Sequence, residues 1–208
     1  PMLRSALLVL LLALPSLGAA TPLVVYDDAL RNGFQDWSWN TGDVDFDADF
    51  HVHSGTRTIF FKGSDWNAIS LYRSQALDTS DYVALRFFIR GNMGGEKINL
   101  VLQNGATTLY DGPLDPFIDG GAISSDLTYR QVWVLLTQAP VSLDGMFDRI
   151  SLQSAAGTQA NPQHVYIDEI TLVPYPTVDP PTPVLFEDGF EGEGSGTPPG
   201  DADRKSVV

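Results

Sequence analysis

Three tryptophans in this chain stand beside polar side chains. Trp37 and Trp39 are two positions apart, so their rings face the same side if the segment is a strand. Trp66 lies between Asp65 and Asn67 in a polar stretch. Sugars offer apolar C–H faces and many hydroxyls, so a site for them needs flat rings flanked by hydrogen-bonding groups. We therefore take these residues as candidate carbohydrate-binding residues.

The aromatic residues have a second interpretation, since an inward-facing tryptophan is ordinary in the core of a β-sandwich. That alternative stays open for Trp37, Trp39 and Trp66 alike. Tyr72 is a further aromatic residue among the candidate carbohydrate-binding residues. Trp133 lies inside the apolar run QVWVLL, and we expect its ring in the core.

The segment Asp43–Phe50, with the sequence DVDFDADF, alternates acidic and apolar residues. On a strand, all four aspartates lie on one face and the apolar side chains, Phe50 included, lie on the other. The carboxylates are then spread along roughly 20 Å of strand. We expect a solvated face here and not a metal site.

The chain has three histidines, His51, His53 and His164. His51 and His53 share a face if the segment is a strand, and a zinc site would need His164 as a third ligand. Nothing in the spacing brings His164 near the other two, so we expect ordinary surface histidines.

The composition disfavours several classes of function. The chain has 208 residues, 12 Lys+Arg against 26 Asp+Glu, and a formal net charge of −14, so it lacks the basic surface that a nucleic acid needs. Without cysteine it has no disulfide, thiol nucleophile or iron–sulfur cluster. The sequence also lacks the motifs of serine hydrolases, zinc proteases, phosphate loops and dinucleotide sites. We therefore favour a protein that is not an enzyme.

The N-terminal segment, residues 1–20, has the pattern of a secretory signal. Arg4 precedes the apolar run Ala6–Leu14, and small residues follow up to Ala20, which predicts cleavage near that residue. The run is too short to span a bilayer, so we expect no membrane span in the mature chain. The mature protein is then extracellular or periplasmic.

The C-terminal segment, residues 176–208, predicts a linker followed by a disordered tail, because it is rich in Pro, Gly and Ser. Its last residues, Asp203–Val208 (DRKSVV), match a translated DNA-sequencing adapter. We expect the tail to be truncated, and the natural chain to continue past Ala202 or to end differently. The segment Phe186–Glu191 (FEDGFE) is assigned no chemistry.

Short β-rich runs separated by turn residues occupy the middle of the chain, which predicts an antiparallel sandwich with few helices. The predicted strands are Leu23–Asp27, Thr58–Phe61, Ala68–Tyr72, Tyr82–Arg90, Lys97–Gln103, Gln131–Leu136, Arg149–Gln153 and His164–Val173. Asn104-Gly105 predicts a type I′ hairpin turn before Thr107–Tyr110. The apolar phase slips at Asp168-Glu169, which predicts a β-bulge.

The segment Tyr26–Trp39, YDDALRNGFQDWSW, resembles the opening of secreted carbohydrate-binding-like modules with a galactose-binding-type jelly roll. Further matching stretches follow in the expected order, at Val52–Gly55, Asp65–Leu71, Leu85–Gly95 and Val165–Leu172. The resemblance spans residues 26–173. It implies an all-β jelly roll that binds polysaccharide, in modules often joined to glycosidases or lyases.

The resemblance also implies a structural calcium ion. In jelly rolls of this type the first and last strands lie close together and share Ca²⁺ through carboxylates, here those of Asp27, Asp28 and Asp168. Backbone carbonyls at Ser54-Gly55 would add oxygen ligands, of which calcium takes about six to eight. The alternative is that Asp27 and Asp28 cap a turn and that Asp168 is a solvated bulge residue.

These features predict an all-β, two-sheet antiparallel jelly-roll sandwich over residues 21–175 that binds polysaccharide without catalysis. We expect a monomer, attached to a catalytic domain outside this fragment. One alternative is a polysaccharide lyase or glycoside hydrolase on a jelly roll, which needs a deep groove with a carboxylate or a Tyr/His/Arg cluster of shifted pKa. The other is a surface interaction or spacer module, which would bury Trp37, Trp39 and Trp66.

Overall fold

The computed structural model of the protein describes residues 21–39 and 43–176. The predicted signal peptide, residues 40–42 and the tail from Thr177 lie outside the described residues. The strands are β1 (Leu23–Tyr26), β2 (Phe34–Asp36), β3 (Asp43–Ala48), β4 (Thr58–Gly63), β5 (Ala68–Asp78), β6 (Tyr82–Gly91), β7 (Ile98–Asn104), β8 (Thr107–Pro113), β9 (Arg130–Leu135), β10 (Met146–Ser154) and β11 (Gln163–Pro174). Helical structure in the described part is limited to two 3₁₀ turns, Thr79–Asp81 and Asp115–Phe117.

Two antiparallel sheets form a jelly-roll sandwich, as the strand pattern predicted. The six-stranded sheet has the order β3-β4-β11-β6-β9, with β1 paired to β11. The five-stranded sheet has the order β2-β5-β10-β7-β8. Their inward side chains make one hydrophobic core, which includes Ile59, Phe87 and Ile89 from the first sheet and Leu100 and Leu102 from the second. Residues between these positions on each strand face outward.

The bulge predicted at Asp168-Glu169 is present in β11. The register against β6 shifts between Asp168 and Thr171, and Glu169 has a φ of 51°. Before the bulge β11 pairs with β4, and after it the same edge pairs with β1, so the bulge lies where one neighbour replaces the other. Asp168 is only 1% exposed, so it is not a solvated bulge residue.

Trp133 and Phe50 do not lie where the sequence predicted. Trp133 is 38% exposed, because Val132 and Val134 point into the core and strand alternation turns the residue between them outward. Phe50 is 45% exposed, since β3 ends at Ala48 and its alternation does not continue to Phe50. The aspartates of that segment are exposed, as predicted.

The hairpin between β7 and β8 is confirmed, but its turn is centred one residue later than predicted. Asn104 pairs with Thr107, which leaves Gly105 and Ala106 as the central residues. Gly105 has a φ of 56°, whereas Ala106 has a negative φ. A glycine at the first central position with a negative φ after it is the pattern of a type II′ turn, not type I′.

Candidate functional site

The outward surface of the five-stranded sheet carries most of the predicted carbohydrate-binding residues, and we call it the aromatic face. Leu71 of β5 and its partner Ile150 of β10 are buried in the core. Their neighbours Tyr72 and Arg149, which pair with each other, therefore point outward. Trp37 joins this surface at the sheet edge, where its backbone N–H donates to the carbonyl of Ser70 over 2.8 Å.

Trp37 and Tyr72 form a stacked pair on the aromatic face. Their ring centroids are 3.8 Å apart, and the guanidinium carbon of Arg149 lies 5.2 Å from the Trp37 ring and 5.5 Å from the Tyr72 ring. Nε of Arg149 is buried and has no hydrogen-bond partner among residues 21–39 and 43–176. Trp37 is 48% exposed, so this ring is not a core residue and offers a flat apolar surface to a ligand.

Trp39 and Trp66 meet at the other end of the aromatic face. Trp39 bridges Ala68 through its backbone, and its indole N–H donates to the carbonyl of Trp66 over 3.0 Å. The side chain of Gln153, on β10, donates to the same carbonyl over 3.2 Å. Trp66 is 52% exposed and Trp39 is half-buried. These contacts fix Trp66 beside the outward residues of the sheet.

Trp66 occupies a turn position that disfavours large side chains. Asn67 N–H donates to the carbonyl of Ser64 over 2.9 Å, which closes a turn with Trp66 at its third position, and Trp66 has a φ of 67°. A glycine is normal at that position, because an L side chain in the left-handed region is strained. Backbone strain that carries an exposed ring is a pattern found at binding sites.

Asp65 and Asn67 support this turn. The Asp65 carboxylate accepts the backbone N–H of Thr158 over 2.6 Å, and the Asn67 amide oxygen accepts the N–H of Ser64 over 2.9 Å. Both side chains were predicted to bind a sugar directly. In the described contacts they hold the loop that presents Trp66.

Two ring positions are thus separated along β5. Tyr72, with Trp37, lies four residues from Ala68, which is next to Trp39, a distance of about 13 Å along a strand. Ser70 and Ser151 lie between them, and their hydroxyls are joined by a 2.9 Å hydrogen bond. The two ring positions could therefore contact different residues of one extended glycan.

The structure thus brings all six predicted carbohydrate-binding residues to the aromatic face or to its edge. It adds Arg149 and Gln153 to them. Neither residue was singled out from the sequence, because both lie on β10, which is far along the chain from the tryptophans. The sequence did contain a signal for them: alternate residues of β10 are apolar and face the core, so Arg149 and Gln153 between them face outward.

The four predicted calcium ligands, Asp27, Asp28, Ser54 and Asp168, line one open pocket. Asp168 Oδ2 accepts the backbone N–H groups of His53 (2.9 Å) and Ser54 (3.2 Å). Asp28 Oδ1 accepts two further N–H groups of the same loop, each over 2.7 Å. Asp27 forms an ion pair with Arg31 instead.

Gly55 lets this loop approach Asp28 closely. It has a φ of 70°, and a Cβ there would lie 2.4 Å from Asp28 Oδ1. The loop N–H groups lower the pKa of Asp28, whereas burial raises the pKa of Asp168. Calcium needs oxygen ligands, but the loop directs N–H donors at these carboxylates, so the residues in this arrangement do not fit a calcium ion. The calcium ion stays a prediction from the sequence.

A Tyr/His/Arg cluster of the kind expected in a lyase does occur, on the outer side of the six-stranded sheet. Tyr129 OH donates to the carbonyl of His51 and contacts the hydroxyl of Thr58. Burial raises the pKa of Tyr129 to about 12. A tyrosine that abstracts a proton needs the opposite shift and a free hydroxyl, so this cluster does not support elimination chemistry.

The histidines do not form a zinc site in the described residues, where we find no cluster of three or more His, Cys, Asp or Glu side chains placed to hold a metal. His53 stacks on Phe88 with ring centroids 3.9 Å apart, and His164 lies on β11. Nor does any helix in the described ranges have the length and apolar character that crossing a membrane requires.

Sequence comparison finds a short match to a curated protein. No protein-family model matches the chain. An endoglucanase of Dictyostelium discoideum is 34% identical over 77 residues, which covers 36% of this chain and 11% of the endoglucanase. The chain therefore spans about a tenth of that relative's length.

Among solved structures, variants of a family 29 carbohydrate-binding module are similar in fold. One, complexed with mannohexaose, has a TM-score of 0.50 at 21% identity and matches 74% of this chain and 91% of the module. Another, complexed with cellulohexaose, has the same TM-score and identity and matches 74% of this chain and 92% of the module. At this identity the similarity establishes a shared jelly-roll β-sandwich.

Proposed function

We propose that this chain is a secreted, non-catalytic module that binds a neutral polysaccharide on its aromatic face. The observation that carries the proposal is the exposed Trp37 ring, which is stacked on Tyr72 and backed by Arg149. Rings of this kind stack on the C–H faces of sugars, and neighbouring polar groups bind the hydroxyls. The mannohexaose and cellulohexaose complexes of the structurally similar modules support a neutral hexose chain as the ligand.

The position of Trp66 supports the same function. It holds an exposed ring in a strained backbone conformation, and its carbonyl accepts the Trp39 indole N–H at the Ala68 end of the aromatic face, about 13 Å along the strand from Tyr72. A spacer module is expected to bury its tryptophans in the core. Trp37 and Trp66 are instead both about half exposed.

We infer that the module serves a catalytic partner. The similarity of a short stretch to part of an endoglucanase supports this role. A linked binding module raises the effective concentration of a catalyst at its polymer by keeping it close to the substrate. The signal-like N-terminal segment supports export.

Affinity electrophoresis of the full chain tests the proposal, with gels that contain cellulose derivatives, glucomannan, mannan or xylan. We expect one or more of the neutral polymers to slow the wild-type protein and to slow a Trp37→Ala variant much less. Trp133→Ala is the matched control, because it removes an exposed tryptophan from the other sheet. Equal migration in all gels by a folded protein would refute the proposal.

A further inference from the structure

A second pocket lies on the outer side of the six-stranded sheet, away from the aromatic face. Arg90, from β6, and the loop segments 51–53 and 127–129 line it, and we call it the Arg90 pocket. The proposed polysaccharide function assigns it no role. There a cation that makes no ion pair among the described residues borders an open pocket.

The guanidinium of Arg90 is held in place by contacts other than an ion pair. Its Nε donates to the carbonyl of Leu127, its Nη1 is buried with no hydrogen-bond partner in the described part of the chain, and its Cζ lies 5.4 Å from the ring centre of Tyr166. Within residues 21–39 and 43–176, Arg90 makes no ion pair. A partly buried charge without a partner is costly, and an anion in the adjoining pocket would offset that cost.

The carboxylates around the pocket already have partners. Glu169 lies 3.2 Å from His53, and Asp126 forms a 2.7 Å ion pair with Arg130. Asp168 accepts backbone N–H groups. None of these three carboxylates forms an ion pair with Arg90, so among the described residues its guanidinium remains available to an external anion, although the chain as a whole has a net charge of −14.

Aromatic rings stand next to this charge. His51 is exposed, and its ring lies 4.7 Å from that of Tyr166. Phe50, 45% exposed, lies 5.8 Å from His51. A guanidinium binds a carboxylate through directed N–H donors, and a neighbouring ring can stack on the sugar that carries the carboxylate.

We propose that the Arg90 pocket binds the carboxylate of a uronic acid residue in a glycan that is otherwise neutral. The pocket supplies one unpaired guanidinium, which matches a single carboxylate. A densely charged polymer fits poorly, because the negative charge of the protein repels it. The module would then contact glycans with both sheets, through rings on one and through a charge on the other.

The test compares glucuronoxylan with the same polymer after its carboxylates are reduced to alcohols. The readout is the ratio of the two dissociation constants of the full chain, measured by affinity electrophoresis. We expect wild type to bind the native polymer roughly tenfold more tightly, since charge-assisted hydrogen bonds are about twice as strong as neutral ones. Arg90→Gln should bring the ratio to about one, and Arg90→Lys should give an intermediate value because lysine lacks the planar fork.

Three further variants separate the possible outcomes. Arg31→Gln removes an equal charge elsewhere and should leave the ratio unchanged. His51→Asn alters the pocket without removing Arg90 and should lower the ratio, and asparagine tolerates the left-handed φ of 56° at this position. Trp37→Ala should weaken binding of both polymers without changing their ratio, which separates this proposal from the aromatic-face function.

Three results would overturn the proposal. The first is a ratio of about one for wild type. The second is a ratio that Arg90→Gln and His51→Asn leave unchanged while both variants stay folded by circular dichroism. The third is an equal drop for Arg31→Gln and Arg90→Gln, which would show a general charge effect.

Discussion

The outer surfaces of the two sheets carry the same kinds of residue but use them differently. On each, an arginine lies over a tyrosine: Arg149 over Tyr72 at 5.5 Å, and Arg90 over Tyr166 at 5.4 Å. On the aromatic face, the stacked partner Trp37 is 48% exposed. On the six-stranded sheet, the segment around Phe50 and His51 packs on Tyr166, which is only 5% exposed.

The difference arises from the loop that follows β3. Asp28 and Asp168 accept its backbone N–H groups and hold residues 53–57 against the six-stranded sheet. The five-stranded sheet has no described segment placed over Trp37 and Tyr72 in this way. The aromatic rings of the five-stranded sheet therefore stay exposed and can stack on a sugar. The loop covers the rings of the six-stranded sheet, and the Arg90 pocket lies at the edge of that covered surface.

The largest expected effect comes from removing the exposed ring of the aromatic face. Trp37→Ala should weaken binding of the neutral polymer by roughly 30-fold, the effect of losing a contact worth about 2 kcal/mol. Its unfolding midpoint should change little, since the ring is half exposed. Isothermal titration with a soluble hexasaccharide measures the loss, and Trp133→Ala on the other sheet is the control. Equal losses for the two variants would remove the distinction between the faces.

A glycine at position 66 separates binding from stability. Trp66→Gly should lower affinity by roughly tenfold, yet keep the unfolding free energy within about 1 kcal/mol of wild type, because glycine relieves the left-handed strain. Trp66→Ala loses the same ring but keeps the strain, so it should be the less stable variant. Chemical denaturation measured beside titration makes the comparison. Wild-type affinity in Trp66→Gly would exclude this ring from the site.

The two carboxylates that hold the loop should respond to pH with opposite signs. The pKa of Asp28 is lowered, so its ionised form stabilises the fold above about pH 4, and this contribution is lost as the pH falls through its folded pKa. The stability difference between wild type and Asp28→Asn should therefore shrink in acid.

Asp168 has a raised pKa, so its ionisation opposes folding above its folded pKa. The stability advantage of wild type over Asp168→Asn should grow as the pH falls toward about 4, the ordinary pKa of aspartate. Thermal unfolding between about pH 3 and pH 7 measures both differences. Changes in the same direction for the two variants would contradict the assigned environments.

The smallest expected effect is that of calcium. Because loop N–H groups face Asp28 and Asp168, millimolar calcium or a chelator should move the unfolding midpoint by less than about 1 °C. Differential scanning calorimetry in each condition provides the measurement. A rise of several degrees with calcium would mean that the loop turns its carbonyls toward the carboxylates, and the sequence-based calcium site would then stand.

Local residue patterns predicted most of the fold. The β-rich runs between turn residues, Gln131–Leu136 among them, identified the strands, and the phase slip at Asp168-Glu169 located the bulge. Trp133 was misplaced because its run was judged by overall hydrophobicity, although the parity of Val132 and Val134 turns it outward. Phe50 was misplaced because a strand pattern does not mark the residue at which pairing stops.

The sequence by itself determined an all-β sandwich and a set of aromatic and acidic residues, because strand periodicity and turn chemistry act over a few neighbours. Only the tertiary structure decided which rings are exposed and which groups meet. Arg149 reaches Trp37 through the register of β10 against β5, and Arg90 makes no ion pair among the described residues because the nearby carboxylates contact other groups. Both outcomes depend on pairings between residues far apart in the chain, which no local pattern encodes.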